Sequence, residues 1–493
     1  MRKQFVTLAL IGAITTFTAI APNLSLFPKA YAAAPLAISK TINRSHPSVN
    51  KHAFSLPQTN LSQEERLSFV IGKSLFEKIW VSSPSSTTAS DGLGPLYNAR
   101  SCQSCHIRNG RGQPTSTKKP GKMAVSMLMR MSLPADTEQQ KALLASEHIG
   151  VIPEPTYGTQ LQAFSVQGLL AEGSVTVSYN EIPVNFPNTM IMATGKNSVS
   201  LRTPHYKIQQ LNYGPLPSNI QLSPRVAPPM IGLGLLAAIS KADILAKEDP
   251  NDSNNDGISG RANRVWDIEQ QQYSIGRFGW KAGNPTLRQQ NNAALHADIG
   301  ISTPMFPKGA GECSAQQIKC QSLPNGNSLH LDNVEAPAQM VSLIEFYTRN
   351  LAVPKRRNTK TPAVLSGQKT FEQIGCQNCH TPRYETASDV PKAQAKQIIW
   401  PYTDLLLHDM GEGLSDNRPE FLATGREWRT PPLWGTGLTQ TVSQHTQFLH
   451  DGRARNLNEA ILWHGGEAQT SKVSFMQLPQ QDRNNLITFL ESL

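Results

Sequence analysis

"SCQSCHIRNG" (101–110) and "GCQNCHTPRY" (375–384) place the same motif, Cys-x-x-Cys-His, in two distant parts of the chain. The chain contains 6 cysteines and 12 histidines among 493 residues. Random placement of those residues would give about 0.002 such strings, so two copies indicate one shared chemistry. That chemistry could be a zinc knuckle, a thiol redox pair, a disulfide or a covalently held haem.

The N-terminus indicates the compartment. Arg2 and Lys3 precede an apolar run at 5–20, and Ala32 ends a plausible cleavage site. This pattern predicts a secretory signal peptide over 1–32 and a periplasmic protein. A retained membrane anchor is the alternative, but threonines interrupt the apolar run. No later stretch is apolar and long enough to span a bilayer, so we expect no transmembrane segment in the mature chain.

Haem attachment explains the motif better than its alternatives. An oxidising compartment disfavours a thiol pair that must stay reduced. Structural zinc needs four ligands, and each motif offers at most three. A c-type haem uses every residue, because the two thiols add to its vinyl groups and the histidine reaches the iron. The sequence therefore predicts two covalently bound haem c groups, attached and ligated by Cys102, Cys105 and His106 at haem 1 and by Cys376, Cys379 and His380 at haem 2.

Two cysteines remain, Cys313 and Cys320 in "GECSAQQIKCQS". Their short separation and the oxidising compartment favour a local disulfide that closes a small loop. All six cysteines then have a role in attachment or cross-linking, so no thiol is left for exchange chemistry.

A second local pattern concerns calcium. "DPNDSNNDGISG" (249–260) places Asp252, Asn254 and Asp256 at alternate positions before Gly257, as at the start of a calcium loop. The twelfth position of such a loop is Asn263 rather than an acid. An ordinary Asp/Asn-rich turn explains the pattern equally well, so both a Ca2+ site and a simple turn stay open.

Charge and length limit the class of protein. The net charge of +10 falls to about +7 without residues 1–32, which carry three basic residues and no acid. No dense Lys/Arg tract is present, so we expect no nucleic-acid binding, and an acidic protein partner or an anionic membrane surface fits better. About 460 mature residues exceed what one core holds, which predicts at least two domains.

An internal repeat suggests where the domains lie. A Gly-x-x-x-Phe string precedes each motif, at Gly72 and at Gly367. "RVAPPMIGLGLL" (225–236) matches "RTPPLWGTGLTQ" (429–440), and "LIEFYTRNL" (343–351) matches "LITFLESL" (486–493). We therefore predict an N-terminal arm at 33–60, a first haem domain at 61–352, a linker at 353–362 and a second haem domain at 363–493.

The predicted fold is mainly α, with two cytochrome-c-like haem domains. The first domain is far longer than a minimal haem domain, so insertions enlarge it. "GSVTVSYNEIPVNF" (173–186) alternates apolar and polar residues and predicts a strand pair within those insertions.

Three stretches resemble a known family: "GLGPLYNARSCQSCH", "RTPPLWGTGL" and "FLHDGRARNLNEAILWHGG" (448–466). The chain after about residue 60 is similar to dihaem oxidoreductases related to bacterial dihaem cytochrome c peroxidases, some of which carry a thiol-oxidoreductase label. In those peroxidases the segment beginning His-Asp-Gly ends in a methionine that binds the second haem iron. The matching residue here is His464, which implies a bis-histidine haem 2 with His380 and a lower potential than a His/Met haem. Met410 in "HDMGEG" is the rival ligand.

The first haem has no counterpart of His464 after 225–236, which predicts an open or weakly ligated iron. A methionine of "KMAVSMLMRM" (122–131) could cap it, although a core or haem-wall helix explains that stretch as well. Peroxide cleavage needs a group that moves a proton, and the related peroxidases place a glutamate there. The resemblance suggests Glu172 or Gln160 for this catalytic role. Trp280 and Trp463 are the first candidates for an electron bridge between the haems.

The sequence thus predicts an exported, peroxidase-like dihaem oxidoreductase. Electrons from a small carrier, a cytochrome or a copper protein, would pass through the C-terminal bis-His haem to an open N-terminal haem. That haem would reduce peroxide or oxidise another small substrate. Two alternatives remain: a dihaem electron-transfer cytochrome without turnover, and a haem enzyme that oxidises side chains of a partner protein.

Overall fold

The computed structural model describes residues 46–87, 89–116, 124–186 and 198–493. The predicted signal peptide, residues 33–45 of the predicted arm and Met123 lie outside these ranges. The described part contains short and medium α-helices together with two-stranded antiparallel sheets. The prediction of a mainly α fold with some β-structure is confirmed in that coarse form.

The elements follow one another along the chain. The helices are α1 (Gln63–Glu77), α2 (Cys102–Cys105), α3 (Glu138–Ser146), α4 (Leu233–Ala237), α5 (Lys241–Leu245), α6 (Leu287–Ala294), α7 (Ile318–Gln321), α8 (Ala338–Arg349), α9 (Pro362–Gln373), α10 (Thr439–Ser443), α11 (Leu457–Leu462), α12 (Gln469–Gln477) and α13 (Gln480–Ser492). The strands are β1 (Leu96–Tyr97), β2 (Met127–Ser132), β3 (Phe164–Ser165), β4 (Ser174–Asn185), β5 (Ser198–Gln209), β6 (Gln221–Val226), β7 (Arg264–Asp267), β8 (Gln272–Ile275), β9 (Tyr384–Glu385), β10 (Ile398–Ile399), β11 (Leu407–Asp409) and β12 (Glu427–Arg429). The sheets pair β1 with β3, β2 with β6, β4 with β5, β7 with β8, β9 with β10 and β11 with β12.

Two crossing helix pairs explain the predicted repeat. α1 packs against α8, and α9 packs against α13. A Cβ atom on Gly72 would lie 2.2 Å from the Leu343 carbonyl oxygen, and one on Gly367 would lie 1.9 Å from the Asn485 carbonyl oxygen. Each crossing therefore needs a glycine, because no side chain fits where the two backbones approach. In each pair, the helix that carries the glycine precedes a Cys-x-x-Cys-His motif along the chain, and its partner helix follows that motif.

Gly367→Ala is expected to lower the free energy of unfolding by about 1–3 kcal/mol, since the added methyl forces α9 away from α13. Urea unfolding of the haem-loaded protein measures the change. Lys369→Ala, on the exposed side of the same helix, is the matched control and should stay within about 0.5 kcal/mol of the parent. Equal midpoints for the two variants would contradict the close backbone contact.

The methionine stretch forms a strand, not the helix considered from the sequence. In β2 the side chains of Met127, Met129 and Met131 are buried in hydrophobic clusters. Alternation along a strand turns Leu128 and Arg130 to the opposite face, where both line the central cavity described below. No methionine of β2 lines that cavity, which argues against a methionine cap on haem 1 from this strand.

The predicted strand pair at 173–186 is a single strand. β4 pairs over its whole length with β5, from Ser174 opposite Gln209 to Asn185 opposite Ser198. The alternating pattern correctly indicated β-structure, but it runs through the middle of the segment without a turn. The partner strand therefore comes from farther along the chain.

The predicted linker is tied to its surroundings. Lys355 N–H donates to the His46 carbonyl at 2.9 Å, and Arg357 N–H donates to the Ser492 carbonyl at 2.8 Å. The described residues from 46 onward belong to one compact unit, so the boundary between two haem domains stays a prediction. Within the described ranges, no helix has the length and hydrophobicity of a membrane span.

Candidate active site

Both motifs open into one cavity of about 580 Å³. The fold thus brings together the residues that the sequence predicts for the two haems. The lining includes Cys102, Cys105 and His106 from the first motif, and Cys376, Cys379 and His380 from the second. We call the part near His106 the first pocket and the part near His380 the second pocket.

The two motif histidines are held in the same way. The Nδ1 atom of His106 lies 2.8 Å from the Pro228 carbonyl oxygen, and that of His380 lies 2.9 Å from the Tyr402 carbonyl oxygen. A carbonyl only accepts, so Nδ1 carries the proton and Nε2 keeps its lone pair. Burial lowers the pKa of both imidazoles to about 4. Each histidine therefore presents the neutral, oriented nitrogen that an axial iron ligand requires.

His464 has the same arrangement in the second pocket. Its Nδ1 donates to the Ala460 carbonyl at 2.7 Å, and burial lowers its pKa. It lines the cavity and lies near enough to His380 to influence the pKa of that residue. Met410, the rival ligand, also lines the cavity. The histidine nitrogen is already oriented, which favours His464.

His408 lines the second pocket but has no nitrogen left for a ligand. Its Nε2 lies 2.9 Å from an Asp404 carboxylate oxygen, and its Nδ1 lies 2.6 Å from Glu467. Burial opposes the charged form, yet the carboxylates raise the pKa of His408 well above its ordinary value. No sequence pattern singled out this imidazolium, whose Nδ1 lies 3.6 Å from the Cys379 sulfur.

The structure contains a second repeat that sequence comparison did not find. Phe278 bridges to Asn284, and Phe448 bridges to Ala454, so each pair closes a small loop. Each loop leads into a helix whose N-cap side chain, Thr286 before α6 or Asn456 before α11, accepts from the backbone three residues later. Both N-caps are eight residues beyond the phenylalanine, so the two segments are equivalent position by position.

This repeat identifies the counterpart of His464. His464 is eight residues after the N-cap Asn456, and Ala294 is eight residues after the N-cap Thr286. Both residues line the cavity. The first pocket therefore has a methyl group at the position where the second pocket has an imidazole.

Asp298 stands one helical turn beyond Ala294 and also lines the first pocket. It belongs to a π-helical turn, Leu295–Ile299, that extends α6. Its Oδ1 accepts from Gln160 Nε2 at 3.0 Å. Burial raises the pKa of Asp298. Burial is also the main cause that raises the pKa of both thiols of the first motif, and the charge of Asp298 adds to it. Sequence reasoning missed this acid, because no motif in the sequence marks position 298.

The two catalytic candidates from the sequence lie behind the cavity wall. Glu172 accepts from Gln162 N–H at 2.6 Å and from Gln317 Nε2 at 2.7 Å, and burial raises its pKa to about 8. Neither Glu172 nor Gln160 is among the lining residues of the described chain. Gln160 reaches the first pocket indirectly, through Asp298.

Of the two tryptophans predicted to bridge the haems, one lines the cavity and the other does not. Trp280 lines the cavity, and its Nε1–H donates to the Val226 carbonyl at 2.8 Å. Val226 N–H donates to the His450 carbonyl at 2.8 Å, and His450 is the counterpart of Trp280 in the second repeat. The His450 ring stacks on Trp428, which lines the cavity, with centroids 3.8 Å apart. Trp463 packs in the core and is not among the described lining residues.

The polar side chains that line the cavity suit a haem group, as its thiols and imidazoles do. Three buried polar atoms on its wall lack a hydrogen-bond partner within the described chain: Arg225 Nη2, Trp434 Nε1 and His450 Nε2. Three further lining arginines donate to main-chain carbonyls, and among the described residues none has a carboxylate at ion-pair distance: Arg111, Arg277 and Arg429. Buried cations without a carboxylate in direct contact are costly, so this wall suits the carboxylates of a porphyrin.

Two predicted sites lie outside the cavity. Cys313 and Cys320 form a disulfide with Cα atoms 5.9 Å apart. In the exposed 252–257 turn, Asp252 and Asn254 oxygens each accept from Asp256 N–H at 2.9 Å. These bonds suit an ordinary turn and a calcium loop alike, so Ca2+ binding stays a prediction.

Of the comparisons with known proteins, the family match bears on the site. No curated protein sequence matches the chain. A solved structure of hydrazine synthase from Kuenenia stuttgartiensis matches with 20% identity over 38% of this chain and 65% of that chain, just under two thirds of it. Its TM-score of 0.22 is too low to carry any argument. The family described as "Di-haem oxidoreductase, putative peroxidase" matches residues 41–493, which contain both motifs and the whole cavity. On that match, the chain belongs to the di-haem oxidoreductase family.

Proposed function

We propose that this protein is an exported dihaem peroxidase with one open and one closed haem. One observation carries the proposal: Ala294 occupies the position in the first repeated segment that His464 occupies in the second. A bound ligand at the second pocket suits electron transfer, whereas space at the first pocket suits a small oxidant. The signal-peptide pattern of 1–32 supports export to the periplasm.

The residues of each pocket have distinct tasks in this proposal. Cys102 and Cys105, and Cys376 and Cys379, would hold the two haems covalently. His106 would be the axial ligand of haem 1, and His380 with His464 would ligate haem 2. When bound, the haems supply the electron chemistry by which one hydrogen peroxide takes up two electrons and two protons and gives two waters.

Asp298 would move the proton in the first pocket. A carboxyl whose pKa is raised holds a proton more readily than an ordinary aspartate, and moving a proton between the two oxygens is what peroxide cleavage requires. The small methyl side chain of Ala294 leaves room beside the Asp298 carboxyl. The neighbouring Gln160 amide fixes the carboxyl by donating to Oδ1.

Electron delivery would use the contacts between the two repeated loops. Trp280 and His450 occupy equivalent positions and both hydrogen-bond to Val226. A small carrier protein, a cytochrome or a copper protein, would supply the electrons to haem 2. The mature net charge of about +7 favours an acidic carrier.

Low-temperature electron paramagnetic resonance of the ferric protein, matured with a haem-attachment system, tests the proposal. We expect one high-spin and one low-spin ferric signal, and loss of the high-spin signal when hydrogen peroxide is added to the half-reduced protein. Two low-spin signals that ignore peroxide in both the ferric and the half-reduced states would overturn the proposal and favour an electron-transfer cytochrome.

A further inference from the structure

A short segment separates the first pocket from a partly exposed acid. Thr159 lines the cavity, and its hydroxyl donates to one carboxylate oxygen of Glu312. Gln162 Nε2 lies 3.4 Å from the other oxygen. Glu312 as a residue is only partly buried, while its carboxyl is enclosed enough that burial raises its pKa. The side chain therefore extends from the surface to a hydroxyl on the cavity wall.

The same segment reaches Asp298 from behind. Gln160 Nε2 donates to Asp298 Oδ1 at 3.0 Å and to the Ala297 carbonyl at 2.6 Å. Gln162 Nε2 donates to the same carbonyl at 3.0 Å. Thr159 and Asp298 thus flank one piece of the pocket wall.

The amide oxygen of Gln160 is a buried acceptor that a water molecule could satisfy. Gln160 is fully buried, and its Oε1 has no hydrogen-bond partner within the described chain. Such an orphan acceptor is costly unless a water or another hydroxyl donates to it. Its position beside Asp298 suits a water that exchanges protons with the pocket.

The charges around Glu312 come from several elements. Burial raises its pKa, while Arg130 of β2, the Thr159 hydroxyl and Arg418 act in the opposite direction. Asp298 raises the same pKa, and Glu312 in turn raises the pKa of Glu172. Glu312 therefore lies among arginines that favour its charged form and acids that favour its protonated form.

We propose that Glu312 and Thr159 form the route by which protons reach the first pocket. Glu312 takes a proton from solvent and passes it to the Thr159 oxygen, and the hydroxyl proton of Thr159 turns into the pocket, where Asp298 receives it. Each turnover needs two such transfers: hydrogen peroxide, two electrons from the reduced carrier protein and two protons give two waters. This inference rests on the proposed function.

Glu312→Gln and Thr159→Val each interrupt the route while keeping the size of the side chain. The half-reduced protein is mixed with hydrogen peroxide in a stopped-flow instrument between pH 5 and 8, in H2O and in D2O. We expect both variants to react about tenfold to a hundredfold more slowly than the parent at pH 8. Their rates should rise as pH falls, because protons must then come directly from solvent, and their solvent isotope effect should increase.

Controls separate this route from a loss of structure or of the peroxidase reaction. Glu138→Gln changes an exposed acid on α3 and should keep the parental pH profile. Unchanged ferric resonance signals in the two relay variants show that both haem sites remain intact, and Thr159→Val carries the test if Glu312→Gln fails to fold. A reactive parent with relay variants within twofold of it at every pH would overturn the route alone. A parent that ignores peroxide would overturn the proposed function.

Discussion

Ala294→His is expected to close the first pocket and abolish its reaction with peroxide. Ala294 is the last residue of α6 and His464 lies two residues beyond the end of α11, and each is eight residues after the N-cap of its helix. An imidazole there would offer haem 1 a second histidine nitrogen beside that of His106, as His464 would offer haem 2. We expect the high-spin ferric signal to become low-spin and the peroxide rate to fall on the order of a thousandfold, or roughly 4 kcal/mol of activation free energy.

The matched control is Ala294→Val, which adds bulk without a ligand nitrogen. Its high-spin signal should persist, and its rate should fall by no more than about tenfold, since two methyl groups hinder access only in part. Resonance spectra at low temperature and stopped-flow mixing measure both quantities. A high-spin signal and full peroxide reactivity in Ala294→His would show that the two segments are not equivalent in ligation.

Local chemistry made part of this site predictable. The Cys-x-x-Cys-His spacing depends on one cofactor, so neighbouring residues carry the whole signal. The glycines at 72 and 367 were recognisable for a similar reason, because a close helix crossing admits no other residue. The β2 methionines were misread, since their every-second-residue spacing is typical of a strand and not of a helix.

The equivalence of the two loops could not be read in the same way. "FGWKAGNPTL" (278–287) and "FLHDGRARNL" (448–457) share only their first and last residues. What they have in common is a backbone bridge and a helix N-cap, and several residue types satisfy an N-cap equally well. The counterpart of His464 therefore emerged only from three-dimensional structure.

The remaining roles depend on which side chains line the cavity, and that is decided by segments far apart in the chain. Glu172 and Asp298 are both acids with a raised pKa, yet only Asp298 lines the cavity. Trp280 and Trp463 belong to the same core cluster, yet of these two only Trp280 lines the cavity. Distance along the chain from a motif, which guided the sequence-based choices, does not determine which side of a wall a residue occupies.

Asp298→Asn is expected to slow the peroxide reaction by about a hundredfold to a thousandfold, because an amide cannot carry the proton between the two oxygens. The high-spin ferric signal should remain, since Ala294 and His106 are untouched. Glu172→Gln is the matched comparison, as it changes a buried acid of raised pKa behind the wall. A larger loss in Glu172→Gln than in Asp298→Asn would return the proton-transfer role to Glu172.

Stability measurements separate a catalytic from a structural role for Asp298. Its pKa in the folded protein is raised, so ionising it costs the fold free energy, and that cost grows as pH rises above the pKa of the unfolded carboxyl. Asparagine removes the charge. We therefore expect Asp298→Asn to unfold at equal or higher urea concentration than the parent at pH 7, with the difference shrinking toward pH 4. Slower catalysis in a protein that is no less stable would assign the carboxyl to the reaction, whereas parallel losses of rate and stability would assign it to the fold.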